Sequence, residues 1–314
     1  MQPIIEPIDR ELIINELTPD RLLRKANKGD NEVYVVDAFN APNTMREIGR
    51  LREIAFRDAG GGTGSECDID EFDTMEVPCR QLIVWDPKDR EIVGGYRFIL
   101  GEDIKFKEGI PQIATSHMFE FSSKFLENYL PNTLELGRSF VSVGYQSTRS
   151  NTKAIYVLDN LWDGLGALTV IYPQIQYLFG KVTMYPAYGI YGRDILLGFL
   201  HKHFHDYDRL VWPIEELQSE ALSPEIQRIF TGESFREDYR ILNQKIRSLG
   251  QNIPPLVNAY MSLSPTMKVF GTAINKEFGN VEETGIFFKI SEIFDEKKRR
   301  HIHSFLESET SFVK

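Results

Sequence analysis

A short strand-forming run with a glycine between an acid and an arginine most constrains how this chain folds. The run is Glu135-Leu136-Gly137-Arg138-Ser139-Phe140-Val141, within a strand predicted over residues 133–143. In a regular strand, residues three apart point to opposite faces, so Glu135 and Arg138 would place charge on both sides of a buried sheet. A β-bulge at Gly137 would bring both side chains to one face. The sequence therefore predicts a distorted strand.

Such a bulge would also expose backbone N–H groups. These donors would polarise a thioester carbonyl and hold the oxyanion that forms when an amine attacks it. The polar segment from Tyr145 to Lys153 follows the strand and opens a predicted helix. Its hydroxyls, cations and free N–H groups predict an anion site for a pantetheine phosphate or a pyrophosphate. An ordinary helix cap is the alternative interpretation.

The order of predicted elements indicates an α/β fold with a mixed sheet. Thr44 and Glu47 suggest a capping box at the start of a helix over residues 44–58. Two β-rich runs, 81–85 and 91–100, predict a hairpin. Further helices are predicted at 119–129, 152–179, 194–204, 223–248 and 291–306, with a break near Pro173 left open in the second of these. Further strands are predicted at 33–39, 182–185, 210–212, 257–261 and 285–290.

Three parts of the chain differ in character. We expect a lead-in over residues 1–40, a core over residues 41–208, and a C-terminal extension over residues 209–314 that packs on the core as part of the same domain. No run approaches the roughly 20 apolar residues that span a bilayer, and the N-terminus resembles no signal peptide. The prediction is a cytoplasmic protein, with peripheral contact at the inner membrane left open.

Charge and composition exclude several functions. The net charge of −10 argues against nucleic-acid binding, which needs basic surface, but permits an acidic partner on a local basic patch. The two cysteines form no disulfide framework. His201, His203 and His205 lack the pattern of a zinc site, so no metal is predicted. Candidates for the basic patch are Arg149, Lys153 and the run Lys297-Lys298-Arg299-Arg300, which an exposed helix face also explains.

Four motifs, taken in order, resemble those of the GNAT acyltransferases. The resemblance is to the branch that contains the acyl-homoserine-lactone synthases and the bacterial ornithine and glycine N-acyltransferases of lipid synthesis, including hemolysin-type members. The resemblance covers about residues 44–290 and is carried by Asp70-Glu71-Phe72-Asp73, Val93-Gly94-Gly95-Tyr96-Arg97, the run Glu135 to Val141, and Ile253-Pro254-Pro255-Leu256-Val257-Asn258-Ala259-Tyr260. It implies a GNAT-type mixed sheet flanked by helices.

The resemblance also implies the reaction and its donor. A fatty acyl group, 3-hydroxylated in this branch, passes from an acyl carrier protein to the amine of an amino acid such as glycine or ornithine. No tightly bound cofactor is implied. The glycine-rich loop of coenzyme-A-binding members is missing between Gln146 and Thr152, which favours the carrier protein over acyl-CoA. The predicted donor-binding residues are Phe140, Val141, Gln146, Ser147, Thr148, Arg149, Ser150, Asn151, Thr152 and Lys153.

Five charged residues carry the predicted chemistry. Glu135 is the candidate general base or amine-orienting carboxylate, because burial raises a carboxyl pKa. The resemblance implies that Asp70, Asp73, Arg97 and Arg138 form a charge cluster beside the acceptor. A purely structural set of ion pairs is the alternative. The residues Phe98, Phe140, Trp162, Leu165, Tyr177 and Phe179 are candidates for an acyl tunnel, for which ordinary core packing is the favoured interpretation.

Three other functions stay open at this point. They are a small-acyl transferase that uses coenzyme A, a lactone synthase, and a non-catalytic module that binds acyl carriers. The long segment after Leu210 argues against the lactone synthase, whose members are usually shorter.

Overall fold

An eight-stranded sheet forms the centre of the computed structural model, which describes residues 1–146 and 154–306. Its strands run in the order β1-β2-β3-β4-β8-β9-β12-β11. Two small two-stranded sheets lie outside it. The strands of the described residues are β1 Leu22–Lys25, β2 Glu32–Val36, β3 Arg80–Asp86, β4 Glu91–Leu100, β5 Phe106–Lys107, β6 Ile110–Pro111, β7 Phe119–Phe121, β8 Thr133–Val141, β9 Tyr177–Met184, β10 Val211–Pro213, β11 Lys268–Asn275 and β12 Val281–Lys289.

The pairing within this sheet is mixed, as the sequence predicts. Every neighbouring pair is antiparallel except β8 and β9, which run parallel at the centre. A parallel pair needs a crossover connection, and a long helix supplies it here. The lead-in contributes β1 and β2 to one edge, and the C-terminal extension contributes β12 and β11 to the other.

Helices cover both faces of the sheet. One face packs against α5, α6, α8 and α9. The other face packs against α2 and α3, and against α4. Within the described residues, no helix is both long and apolar enough to cross a membrane. The helices are α1 Arg10–Glu16, α2 Pro42–Asp58, α3 Glu71–Thr74, α4 Ser123–Asn128, α5 Ala154–Ile171, α6 Ile190–Phe204, α7 Pro224–Gln227, α8 Phe235–Ser248, α9 Pro255–Met261 and α10 Asp295–Lys298.

The predicted start of α2 is wrong. The helix begins at Pro42, and its free N–H groups are capped by Glu16 of α1, whose carboxylate accepts from the backbone of Asn43 at 3.0 Å and of Thr44 at 2.7 Å. Glu47 instead accepts from the backbone N–H of Ile8 and from Arg50. A carboxylate from another helix has therefore replaced the local capping box.

Four further predicted elements are wrong in type or extent. The strand predicted at 257–261 is α9, because Pro255 at its first position favours a helix and Val257, Tyr260 and Met261 recur at helical spacing. The helix predicted over 152–179 ends at Ile171, close to the break near Pro173 that the sequence leaves open. The predicted helix 119–129 begins as β7, and the predicted helix 291–306 begins only at Asp295 and continues through a π-helical stretch, Arg299–His303.

Candidate active site

A cleft opens where β8 and β9 separate. Their pairing ends at Leu136 and Gly180, while β9 continues to pair with β12 as far as Met184. At the vertex, a Cβ on Gly180 would lie 2.4 Å from the carbonyl oxygen of Leu136, so this close approach requires glycine. A cavity of about 910 Å³ fills the opening and is lined by residues of both strands.

The predicted bulge in β8 is confirmed. Arg97 of β4 pairs with Gly137, whereas Gly95 pairs with Phe140, so β8 has one residue more than β4 across this interval. Arg138 takes up the extra length in a left-handed conformation with φ of 47°. The bulge turns Arg138 toward the face of the sheet that carries Arg97, as the alternation argument requires.

Arg97 and Arg138 meet at a shared carboxylate. The guanidinium of Arg97 donates to Asp70 at 2.6 Å and to Asp73 at 3.3 Å. Arg138 lies 2.9 Å from Asp68 and 3.4 Å from Asp70. The structure thus brings together four of the five predicted catalytic residues and adds Asp68 to them.

The same carboxylates also cap α3 and bind a buried arginine. Asp70 accepts from the backbone N–H of Phe72 at 3.0 Å, and Asp73 accepts from the backbone N–H of Asp70 at 3.2 Å. Arg52 of α2, which is fully buried, lies 3.3 Å from Asp73. These contacts hold both acids in place against the sheet.

The charge cluster sets the protonation of Asp70. Burial alone would raise the pKa of this carboxyl, but the guanidinium of Arg97, with smaller contributions from Arg138 and Arg52, lowers it well below its ordinary value. Asp70 is therefore an anion at neutral pH and is poorly suited to accept a proton.

Glu135 lies on the same face of the sheet but outside this cluster. Only 2% of it is exposed, it accepts a hydrogen bond from Thr115 at 3.3 Å, and it is not part of the cavity wall. Burial raises the pKa of Glu135, and the nearby Arg97 and Lys181 offset only part of that rise. The carboxyl is thus close enough to influence charge at the cavity without lining it.

Two charged residues that sequence reasoning missed do line the cavity. Lys181 of β9 and Glu283 of β12 form an ion pair in its wall, beside Arg138. Burial lowers the pKa of Lys181 despite the opposing effect of Glu283. The sequence did contain one indication of this pair, a lysine inside the mostly apolar strand Tyr177–Met184. Burying a charged side chain in a strand costs free energy unless a partner of opposite charge lies nearby.

The other part of the cavity is apolar and carries hydroxyl groups. The hydroxyls of Tyr96 and Tyr260 lie 3.3 Å apart and share a hydrogen bond, and Ser139 hydrogen bonds to Tyr96. Trp162 packs edge-to-face on Tyr260. The apolar lining includes Leu136, Leu158, Trp162, Leu178, Leu256, Ile286 and Phe288.

Comparison with known proteins identifies the family. Residues 51–155 match the acetyltransferase (GNAT) domain. The glycine Nα-acyltransferase of Bacteroides thetaiotaomicron is 60% identical over all of this chain and 94% of its own length. This chain belongs to the glycine Nα-acyltransferase family. The protein of the same name from Phocaeicola vulgatus is 56% identical over all of this chain and 97% of its own length.

Solved structures of acyl-homoserine-lactone synthases also match part of the chain. LasI is 15% identical, with a TM-score of 0.30, over 50% of this chain and 74% of its own. The coenzyme-A-dependent synthase BjaI with MTA is 14% identical, with a TM-score of 0.29, over 49% and 67% respectively. The predicted membership of the GNAT acyltransferases is confirmed by the family match, and this protein is an N-acyltransferase.

The predicted donor-binding residues of this acyltransferase fall into two groups. Phe140, Val141 and Gln146 line the cavity, and the Gln146 amide donates to the carbonyl of Val141 at 2.7 Å. The remaining seven, Ser147, Thr148, Arg149, Ser150, Asn151, Thr152 and Lys153, lie outside the described residues.

The candidate tunnel residues also divide. Phe140, Trp162 and Phe179 line the cavity, whereas Phe98 and Leu165 lie in the core of the acyltransferase. Tyr177 stacks on Phe287 away from the cavity.

Proposed function

We propose that this acyltransferase joins a 3-hydroxy fatty acyl group, delivered as a thioester of an acyl carrier protein, to the amine of glycine. The observation that carries the proposal is the single cavity through the cleft between β8 and β9. Charged side chains line one part of it, and apolar side chains with a few hydroxyls line the other. An acyl chain and a charged amino acid would meet at the bulge of β8.

The apolar part suits the acyl chain of the donor. Its walls are formed by α5, α9 and the ends of β9 and β12, and hydroxyl groups of Tyr96 and Tyr260 lie among them. The pair Tyr96 and Tyr260, with Ser139, would hydrogen bond to a hydroxyl on the third carbon. Beyond Leu136, the edge of β8 that faces the cleft no longer pairs with β9. Its backbone N–H groups would hold the thioester carbonyl oxygen.

The charged part suits an amino acid with no side chain. Arg138 and Lys181 would bind the carboxylate of glycine, and Glu283 would accept a hydrogen bond from its amine. Two cations in the wall disfavour ornithine, whose side chain carries a second ammonium group. The name of both relatives supports glycine as the acceptor.

The reaction needs no covalent intermediate on the protein. The neutral amine nitrogen attacks the thioester carbon, the new C–N bond forms, and the C–S bond breaks to release the carrier thiol. The amine proton passes to Glu283, which gives it to the leaving thiolate and is ionised again for the next turnover. Glu135 acts through Lys181 as the orienting carboxylate, while Asp70, Asp73 and Arg97 hold Arg138 at the cleft.

Reconstitution tests the proposal directly. Purified protein is incubated with 3-hydroxyacyl carrier protein and glycine, and N-acylglycine is measured by mass spectrometry. Product is expected with glycine and not with ornithine, and Glu135→Ala is expected to slow its formation. Parallel reactions with 3-hydroxyacyl-CoA identify the donor. No N-acylglycine from either thioester would overturn the proposed function.

A further inference from the structure

Three exposed arginines form a stripe along α8. Arg236, Arg240 and Arg247 are four and then seven residues apart, so they fall within about 40° around the helix axis and extend over about 17 Å. We call them the arginine stripe. Lys245 is also exposed but lies about 150° away on the same helix.

The stripe is not neutralised by the rest of the described chain. No carboxylate of residues 1–146 or 154–306 forms an ion pair with any of the three guanidinium groups. Glu237, the exposed acid in the first turn, accepts the backbone N–H of Glu233 instead. In a protein of net charge −10, three adjacent unpaired arginines make a local basic surface.

The stripe lies on the solvent side of α8, next to the flank that contacts α9. Leu242 and Ile246 bury the centre of the helix, and Asp238 on one flank binds Lys202 and His203 of α6. Tyr239 on the opposite flank donates to Asn258 of α9. The arginine stripe lies beyond the Tyr239 flank, and α9 separates this part of α8 from the cavity, which Leu256 and Tyr260 line on the side of α9 opposite Asn258.

An apolar rim adjoins the end of the stripe. α8 ends at Ser248, and Gly250 and Gln251 line the cavity directly after it. Leu249 is 41% exposed and lies against the first turn of α6, where Ile190 and Tyr191 are 71% and 47% exposed. Apolar and aromatic residues beside charged ones are the usual composition of a protein interface.

We propose that the arginine stripe and this apolar rim are the docking surface for the acidic carrier protein that delivers the acyl thioester. The inference rests on the proposed function, because it needs a carrier-bound donor. An acidic helix laid along the stripe would place the prosthetic arm at the cavity beside Gln251. The basic run at 297–300 is less available, since Lys298 pairs with Asp295 and Arg300 pairs with Asp159.

Matched charge reversals on one helix test this surface. Arg240→Glu and Arg247→Glu are compared with Lys245→Glu, which makes the same change in charge on the other flank. Each variant is assayed with 3-hydroxyacyl carrier protein and with the corresponding 3-hydroxyacyl pantetheine thioester, which has no protein to dock. The stripe variants should lose about threefold to tenfold in kcat/KM with the carrier, mainly through KM. Their rates with pantetheine thioester should stay within about twofold.

The outcomes separate the two proposals. Lys245→Glu should leave both donors within about twofold of the unaltered protein. Equal losses with both donors, or no loss with the carrier, would overturn the docking surface while leaving the proposed function standing. Loss of binding to anionic lipid vesicles with unchanged carrier kinetics would assign the stripe to a membrane instead. Absence of N-acylglycine from every thioester would overturn the function itself.

Discussion

The two sides of the cleft differ in what stabilises them: one is packed with apolar side chains and the other holds a buried network of charges. On the side of α5 and α9, aromatic and aliphatic side chains exclude water, and Tyr96 and Tyr260 satisfy each other with one hydrogen bond. On the side of α2 and α3, Arg52, Arg97 and Asp73 are almost completely buried, so each charge must find a partner inside the protein. Apolar packing tolerates substitution, whereas a buried charge network depends on every member.

This difference indicates which residues of the cleft can be substituted without destabilising the fold. The apolar side fixes which acyl chain fits, and its residues can be exchanged for others of similar volume. The charged side fixes both the fold around α3 and the position of Arg138 at the cleft. A substitution on the charged side should therefore change both catalysis and stability, whereas one on the apolar side can change acyl-chain preference alone.

Glu283→Gln should give the largest effect, because it removes the carboxylate that we place at the amine. We expect kcat to fall about 10²- to 10⁴-fold, the usual contribution of general acid–base catalysis. Steady-state release of carrier thiol measures it. Glu282→Gln is the matched control, since its side chain points to the opposite face of β12 and pairs with Arg193 of α6, outside the cavity wall. A loss below tenfold for Glu283→Gln would remove this residue from the mechanism.

Arg97→Met should give the next largest effect, on stability. Removing this guanidinium leaves Asp73 buried with fewer partners, and breaking a buried ion pair costs about 3–5 kcal/mol. Urea unfolding of the variant and of Leu161→Met, a volume-conserving change on the apolar side, measures the difference. Leu161→Met should cost less than about 1.5 kcal/mol. Similar losses for both variants would contradict the contrast between the two sides.

The sequence predicted those parts of the site that local rules decide. The bulge at Gly137 follows from the spacing of Glu135 and Arg138 alone, because no regular strand accommodates both charges on one face. The hairpin of β3 and β4 follows from its turn and alternation. The mixed sheet follows from the order of elements.

Contacts between distant segments could not be predicted in this way. Lys181 and Glu283 are about a hundred residues apart and meet only because β12 adds to the sheet beside β9. The strand β11 was missed, and α9 was predicted as a strand, because a short apolar run fits either structure until its packing partners are known. The part of the cavity wall formed by Lys181, Glu283 and α9 therefore escaped sequence reasoning.

Tyr260→Phe tests whether a hydroxyl on the apolar side of the cleft contacts the acyl donor. Removing this hydroxyl should lower kcat/KM for a 3-hydroxyacyl donor about threefold to tenfold, relative to kcat/KM for an unsubstituted acyl donor. A loss of this size corresponds to one neutral hydrogen bond. Competition between the two donors, analysed by mass spectrometry, measures the ratio. Tyr177→Phe, on the other face and outside the cavity, should leave the ratio unchanged. An unchanged ratio in Tyr260→Phe would show that this hydroxyl does not contact the acyl chain.

The smallest effects, on the order of 1 kcal/mol, should appear in the pH dependence of stability. Asp70 has a lowered pKa in the folded protein, so its ionised form stabilises the fold above its unfolded pKa of 3.8, and that contribution is lost as the pH falls through the folded pKa. Glu135 has a raised pKa, so its neutral form stabilises the fold below 4.5, and that contribution is lost as the pH rises through the folded pKa.

The two matched amides should therefore respond to pH in opposite directions. Asp70→Asn should be less stable than the unaltered protein at pH 7, and the deficit should shrink as the pH falls below 3.8 toward the folded pKa. Glu135→Gln should match the unaltered protein near pH 4 and become relatively more stable as the pH rises. Urea unfolding at a series of pH values measures both differences. If the stability differences of the two variants changed with pH in the same direction, this explanation would be wrong. Either burial would not raise the pKa of Glu135, or the arginines would not lower the pKa of Asp70.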